Sequence, residues 1–162
     1  GLGDVYKRQS WCKPICQELN AAMKRQRDPS KNDIEKIWYS DSNDDYYGGV
    51  NHEHYNQTRY HALNLHSFFS KGTVEFRLFN STLHAGRIKA YVQFCLALSA
   101  WSIESKGRTI FKSASGYSSG KKPTLMYHIL TNRLGLYGDE FKTCRYHLMK
   151  KLKENAAVVV AA

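Results

Sequence analysis

The spacing of apolar side chains changes period within one short stretch, and this constrains the fold more than any other feature. In TVEFRLFN, Val74, Phe76 and Leu78 alternate with Glu75 and Arg77, the two-residue repeat of a strand with one apolar and one charged face. Directly after it, GRIKAYVQFCLALSAWSIES sets Ile88, Tyr91, Val92, Cys95, Leu98 and Ile103 at helical spacing. Upstream, RYHALNLHSF holds a second alternating core, and Ser70-Lys71-Gly72 marks a turn. The expectation is two antiparallel strands, residues 59–66 and 73–79, joined by a short loop. The long helix, 86–104, should then cover the Val74–Phe76–Leu78 face, which makes the chain α+β with a helical C-terminal part.

The flanking segments read as helices and loops. In residues 12–27, Ile15, Leu19 and Met23 recur every four positions, with Pro14 tolerable in a first turn, so a helix is expected there. Asp28-Pro29 ends it. Asn32 or Asp33 then caps a short helix through Trp38, with Ile34, Ile37 and Trp38 on one face. Residues 40–58 are polar, carry Gly48-Gly49, and read as a loop; residues 105–122, rich in Gly, Ser and Lys, read as a linker. Pro123 opens a helix running to about Arg133, Gly135 to Gly138 end it, and Asp139 caps a last helix buried through Phe141, Cys144, Leu148 and Leu152. Lys150, Lys151 and Lys153 fall in its final turns, where the helix dipole favours cations. Residues 1–10 and 155–162 lack any such pattern and are set aside as a non-native leader and a tail, leaving 11–154 as one domain.

Composition narrows the class. At 162 residues, 42% hydrophobic and 13% aromatic, the chain has material for one folded domain. No apolar run reaches the ~18 residues of a membrane span, and four scattered cysteines suggest reduced thiols, hence the cytoplasm. Lys and Arg total 24 against 14 Asp and Glu, a surplus of +10 that would suit a polyanion. Yet no helix-turn-helix, zinc-finger or aromatic-interleaved RNA motif accompanies it, so a nucleic-acid partner is not the expectation. His52, His54, His61 and His66 do not follow a usual zinc spacing and read as loop and strand-surface histidines. His61 and Asn64 are candidates for lining the sheet, on a face the pattern leaves open, while Thr82 and His84 are placed to cap the long helix.

Glu75-Phe76-Arg77 puts a carboxylate and a guanidinium on one strand face, about 7 Å apart along the chain. From spacing alone, a solvated strand face is the more ordinary account of such alternation.

The segment Arg59 to Ala100, RYHALNLHSFFSKGTVEFRLFNSTLHAGRIKAYVQFCLALSA, closely resembles the amidoligase family, whose bacterial members are often carried on mobile genetic elements. LGLYGDEFKTCRYHL (Leu134 to Leu148) resembles its closing helices, and Trp11 to Tyr39 is more weakly similar. The family looks related to the carboxylate–amine ligases, glutamine synthetase and γ-glutamylcysteine synthetase among them. That resemblance implies a hairpin from a glutamine-synthetase-like sheet and an ATP-dependent reaction. In it a carboxylate becomes an acyl phosphate that an amine attacks to form an amide. Mg²⁺ and ATP are the implied cofactors, and small-molecule or peptide carboxylates and amines the implied substrates.

Those relatives carry the same Glu-x-Arg spacing on a strand, which implies Glu75 as a metal ligand and Arg77 as the catalytic, substrate- or phosphate-binding arginine. Carboxylates are hard oxygen ligands for Mg²⁺, and arginine offers a fixed fork to phosphate or carboxylate. Arg59, opening the neighbouring strand, is a second phosphate candidate. Complete members begin with strands bearing Glu-x-Glu-like and His-x-His-x-Asp-like patterns that do not occur in this chain. The expectation is therefore a C-terminal piece of the enzyme, inactive alone. The alternatives are a non-catalytic interaction domain that kept the sheet and a basic nucleic-acid-binding module.

Overall fold

The computed structural model describes residues 19, 21, 25, 29–40, 52, 53, 56–105 and 122–150. They belong to two compact units, Gly1–Ser81 and Thr82–Ala162.

In the first unit, Leu19, Ala21 and Arg25 have helical backbone, as the spacing of residues 12–27 suggests; the rest of that span lies outside the described residues, as do Cys12 and Cys16. Helix α1 spans Lys31–Ser40. Its cap is Ser30 rather than Asn32 or Asp33. The Asp33 amide donates to Ser30 Oγ at 3.2 Å, and the Ser30 amide donates to Asp33 Oδ2 at 3.0 Å. This reciprocal pair satisfies amide groups that a first turn leaves unpaired. The Ser30 bonds hold the Asp33 carboxyl below its ordinary range. Trp38 and Tyr39 are buried with Leu19 and Phe69, and Ile34, Ile37, Leu65 and Phe68 pack on them as the unit's core.

A single 3₁₀ turn, Gln57–Tyr60, follows, capped where Asn56 Oδ1 accepts from the Thr58 amide at 2.9 Å. Strand β1 is Leu63–Asn64 and strand β2 is Glu75–Phe76. They pair antiparallel, Leu63 opposite Phe76 and Asn64 opposite Glu75. The pairing agrees with the sequence, but both strands are far shorter than 59–66 and 73–79. The connection is not a plain loop. Helix α2, His66–Lys71, fills it and ends on Gly72 at φ 73°. The Gly72 and Thr73 amides close back onto Phe68 O at 2.9 Å and Ser67 O at 3.4 Å, a left-handed helix stop that glycine adopts without strain.

The second unit opens with helix α3, Ala85–Glu104. His84 Nδ1 accepts from the Gly86 amide at 3.1 Å, the capping role expected of it, while Thr82 Oγ1 accepts from the amide of His84 itself at 3.2 Å and so holds the cap residue instead of capping the helix. Helix α4, Lys122–His128, runs into one π-helical turn, Ile129–Arg133. Gly135 at φ 68° then reverses the chain, in the place expected from GLYG. A 3₁₀ turn, Asp139–Phe141, leads into helical backbone over 142–150. Its cap position is Gly138, with Asp139 in the first turn instead of capping it. Arg145 Nη1 donates to Leu136 O at 2.6 Å and Gly138 O at 2.9 Å, tying the reversal to that helix.

The core of this unit is Ala90, Leu130, Leu134, Leu136, Cys144 and Met149, with Phe94, Ala97, Leu98 and Trp101 of α3 packed on it. Ala90 lets the two helices approach closely enough for Cys144 Sγ to donate to Ala90 O at 3.5 Å. Burial pushes the Cys95 and Cys144 thiols up. The expected apolar stripe of the long helix is corrected here. Its buried edge runs through Ala90, Phe94, Ala97, Leu98 and Trp101, so Leu98 faces the core as expected, whereas Ile88, Val92 and Ile103 are exposed, Ile103 at 79%. Val74 at 46% and Leu78 at 39% are exposed too, with Phe76 half-buried, so the Val74–Phe76–Leu78 face is not the covered one expected.

The protein is thus α-rich with a two-stranded antiparallel sheet, an α+β chain. Among the described residues no helix is long and apolar enough to cross a membrane.

Candidate functional site

The sheet brings the three sequence candidates together. Glu75 leads β2, and Arg77 follows one residue beyond its end, anchored where its amide donates to Ala62 O at 2.8 Å. Two-residue alternation turns both side chains to one side, with Arg77 Nε 3.8 Å from Glu75 Oε1. That separation is an electrostatic contact without a close hydrogen bond. Arg77 Nη1 donates to the Arg59 carbonyl at 3.3 Å, which ties the group to the 3₁₀ turn ahead of β1.

Tyr60 is the common platform. The Arg77 guanidinium lies 5.0 Å from its ring centroid and that of Arg59 lies 5.8 Å away, both within cation–π range. Tyr60 was not singled out from sequence. The Arg59-Tyr60 dipeptide was the available signal, because an arginine beside an aromatic on a tight turn can stack on it.

Asn64 also converges on the site. It is 1% exposed, and its Nδ2 donates to Glu75 Oε2 at 2.7 Å. Its Oδ1 accepts from the His66 amide at 2.8 Å. The face of the sheet that Asn64 lines is therefore that of Glu75 and Arg77.

His61 and His66 are buried instead of lying on a strand surface. His61 packs against Trp38 at a centroid distance of 5.1 Å, and His66 Nδ1 is hydrogen-bonded to the Tyr39 hydroxyl at 2.8 Å. Trp38 Nε1 donates to Thr58 Oγ1 at 3.0 Å, which in turn donates to Asn56 Oδ1 at 2.6 Å. These contacts bind α1 to the turns that carry Arg59, Tyr60 and the sheet. His52 Nε2 contacts Glu35 Oε1 of α1 at 2.6 Å, and His54 lies outside the described residues.

The arrangement combines two guanidinium groups on an aromatic ring with one oriented carboxylate. It is suited to holding an anion with a planar oxygen edge, such as a phosphate or a carboxylate. As a magnesium site it falls short. Glu75 is one carboxylate with a guanidinium beside it. Among the described residues no group of three or more His, Cys, Asp or Glu is placed to hold a metal. Mg²⁺ also keeps near-octahedral oxygen coordination. The described residues thus do not by themselves form such a site.

A family model described as "Putative amidoligase enzyme" matches residues 3–99. The match takes in Arg59, Tyr60, Asn64, Glu75 and Arg77, begins inside the 1–10 segment, and stops before residues 134–148. No curated protein and no solved structure matches the chain. Because the matched segment covers more than half of the 162 residues and contains the whole site, the chain belongs to the amidoligase family.

Proposed function

We propose that the chain forms part of an ATP-dependent ligase that activates a carboxylate as an acyl phosphate and joins it to an amine. The observation that carries this reading is the convergence of Arg77 and Arg59 on Tyr60, beside Glu75, within the family-matched segment. Transfer of a phosphoryl group requires positive, preorganised donors around oxygens whose charge shifts in the transition state. Arg77 is assigned that work, and Arg59 is assigned a supporting contact to phosphate. The Tyr60 ring keeps both guanidinium planes ordered, so less freedom is lost when an anion binds.

Magnesium belongs to this proposal as the companion of ATP. Glu75 is assigned as one of its oxygen ligands. The sheet around Glu75 and Arg77 is read as a glutamine-synthetase-like surface, and the reaction as a cytoplasmic one. Its substrates are a small-molecule or peptide carboxylate and an amine. Among the described residues the surface carries one carboxylate on a two-stranded sheet, and the Glu75 side chain is 46% exposed, so water weakens the charge contacts it makes. The chain by itself is therefore assigned binding without turnover.

The test supplies the purified chain with ATP, Mg²⁺ and a broad amino-acid mixture and follows ADP release and amide formation. No steady release is expected. Steady release that disappears in Arg77→Ala would contradict the claim that the site is incomplete, and would leave the ligase chemistry standing.

A further inference from the structure

Asn64 stands directly opposite Glu75 in the sheet register, and its 1% exposure leaves its amide no water to bond. Both ends of the amide are engaged. Oδ1 accepts from the His66 amide at 2.8 Å, at the start of α2, and Nδ2 donates to Glu75 Oε2 at 2.7 Å. The first bond fixes which way the amide faces, so the second is directed and not interchangeable. Glu75 itself is solvent-facing, its side chain 46% exposed, and an exposed carboxylate left to itself samples several rotamers. An arginine–carboxylate pair free to adjust closes to about 2.8 Å, but here Arg77 Nε and Glu75 Oε1 stand 3.8 Å apart. A neutral amide can hold a carboxylate in place without cancelling its charge.

We infer that Asn64 is the positioning residue of this centre: it holds Glu75 by Oε2 and presents Oε1 beside Arg77 without letting the two collapse into a closed pair. The inference deepens the ligase reading, since only there does the orientation of Glu75 acquire a use. Its structural content can nevertheless be read without any ligand. A residue that merely capped α2 would need Oδ1 alone, and its Nδ2 group would be indifferent to Glu75.

The experiment is nuclear magnetic resonance on the full chain at one fixed neutral pH, comparing the Asn64 side-chain NH₂ resonances of wild type and Glu75→Ala. One NH₂ proton is expected to move upfield in Glu75→Ala, because it loses its carboxylate acceptor. NH₂ resonances that are the same in both proteins overturn the inference. A second arm uses Asn64→Asp, which keeps an acceptor for the His66 amide but sets a carboxylate against Glu75. Its melting temperature should fall. Asn64→Asp combined with Glu75→Gln restores the bond with donor and acceptor exchanged, so most of the loss should return. A double variant no more stable than Asn64→Asp counts against the pairing. Neither arm contains nucleotide, so failure to bind ATP would count against the ligase reading alone.

Discussion

The Tyr39 hydroxyl and His66 Nδ1 lie 2.8 Å apart, joining the end of α1 to the start of α2 inside the first unit's core. Because α2 fills the connection between β1 and β2, this bond helps to hold the strand pair that carries Glu75. Burial, with a smaller push from Glu35, raises the Tyr39 phenol to about 12. An unfolded chain gives up that proton near 10. The folded form keeps it longer, so the contribution is complete below the unfolded value and is lost as pH rises towards the folded one. Tyr39→Phe should cost about 1 kcal/mol near neutral pH, the usual worth of one hydrogen bond. The gap between the proteins should narrow at about pH 11. Denaturant midpoints at both pH values check this; a gap that widens in alkali would contradict it.

Leu130 and Ile103 separate the observed packing of the second unit from the packing its helical pattern suggests. Leu130 is fully buried, while Ile103 is exposed near the end of α3. Leu130→Ala should cost about 2–5 kcal/mol, the range for emptying a packed leucine site. Ile103→Gln should stay within about 0.5 kcal/mol of wild type. Chemical denaturation of both variants decides between the two arrangements, and a large loss in Ile103→Gln would restore the sequence-based stripe.

Gly72 tests the stop after α2. At φ 73° it has no atom within 4 Å of where a Cβ would sit, so the effect of a side chain is one of backbone alone. Gly72→Ala should cost about 1 kcal/mol, the penalty of left-handed backbone for an L-residue. Gly135→Ala, at φ 68° with equally open space, should behave alike. Thermal unfolding of the two variants is the measurement. An unchanged melting temperature in either would argue against the left-handed stop there.

Much of this was legible in the sequence, and the failures have physical causes. Glu75 and Arg77 share a face because strand alternation is a local property. Which face becomes buried depends on what packs there, and alternation carries no information about that; Val74 and Leu78 were assigned to a covered face and are exposed. The sequence reading ends the first strand at His66 and leaves SFFSK in the connecting loop, because six residues are too few to establish a helical pattern. The deciding signal was Gly72, a helix stop as readily as a turn. Ser30-x-x-Asp33 is a capping box that spacing shows plainly, yet the sequence reading places the cap at Asn32 or Asp33. Asn64 is legible in the sequence as a candidate for lining the sheet, but its face and its partner Glu75 are not, since they depend on a cross-strand register that only the folded pair defines.

The most direct measurement of the central claim is calorimetric titration of the full chain with ATP and Mg²⁺, comparing wild type, Arg77→Ala, Arg77→Lys and Ile103→Gln. Charge-assisted hydrogen bonds are worth about 1.5–3 kcal/mol, so Arg77→Ala should weaken a modest wild-type affinity about tenfold or more. Arg77→Lys keeps the charge but loses the planar fork and the Tyr60 stack, and should fall between the two. Ile103→Gln should bind as wild type does. Equal affinity in wild type and Arg77→Ala would contradict the assignment of this sheet as the phosphate-binding surface of a ligase.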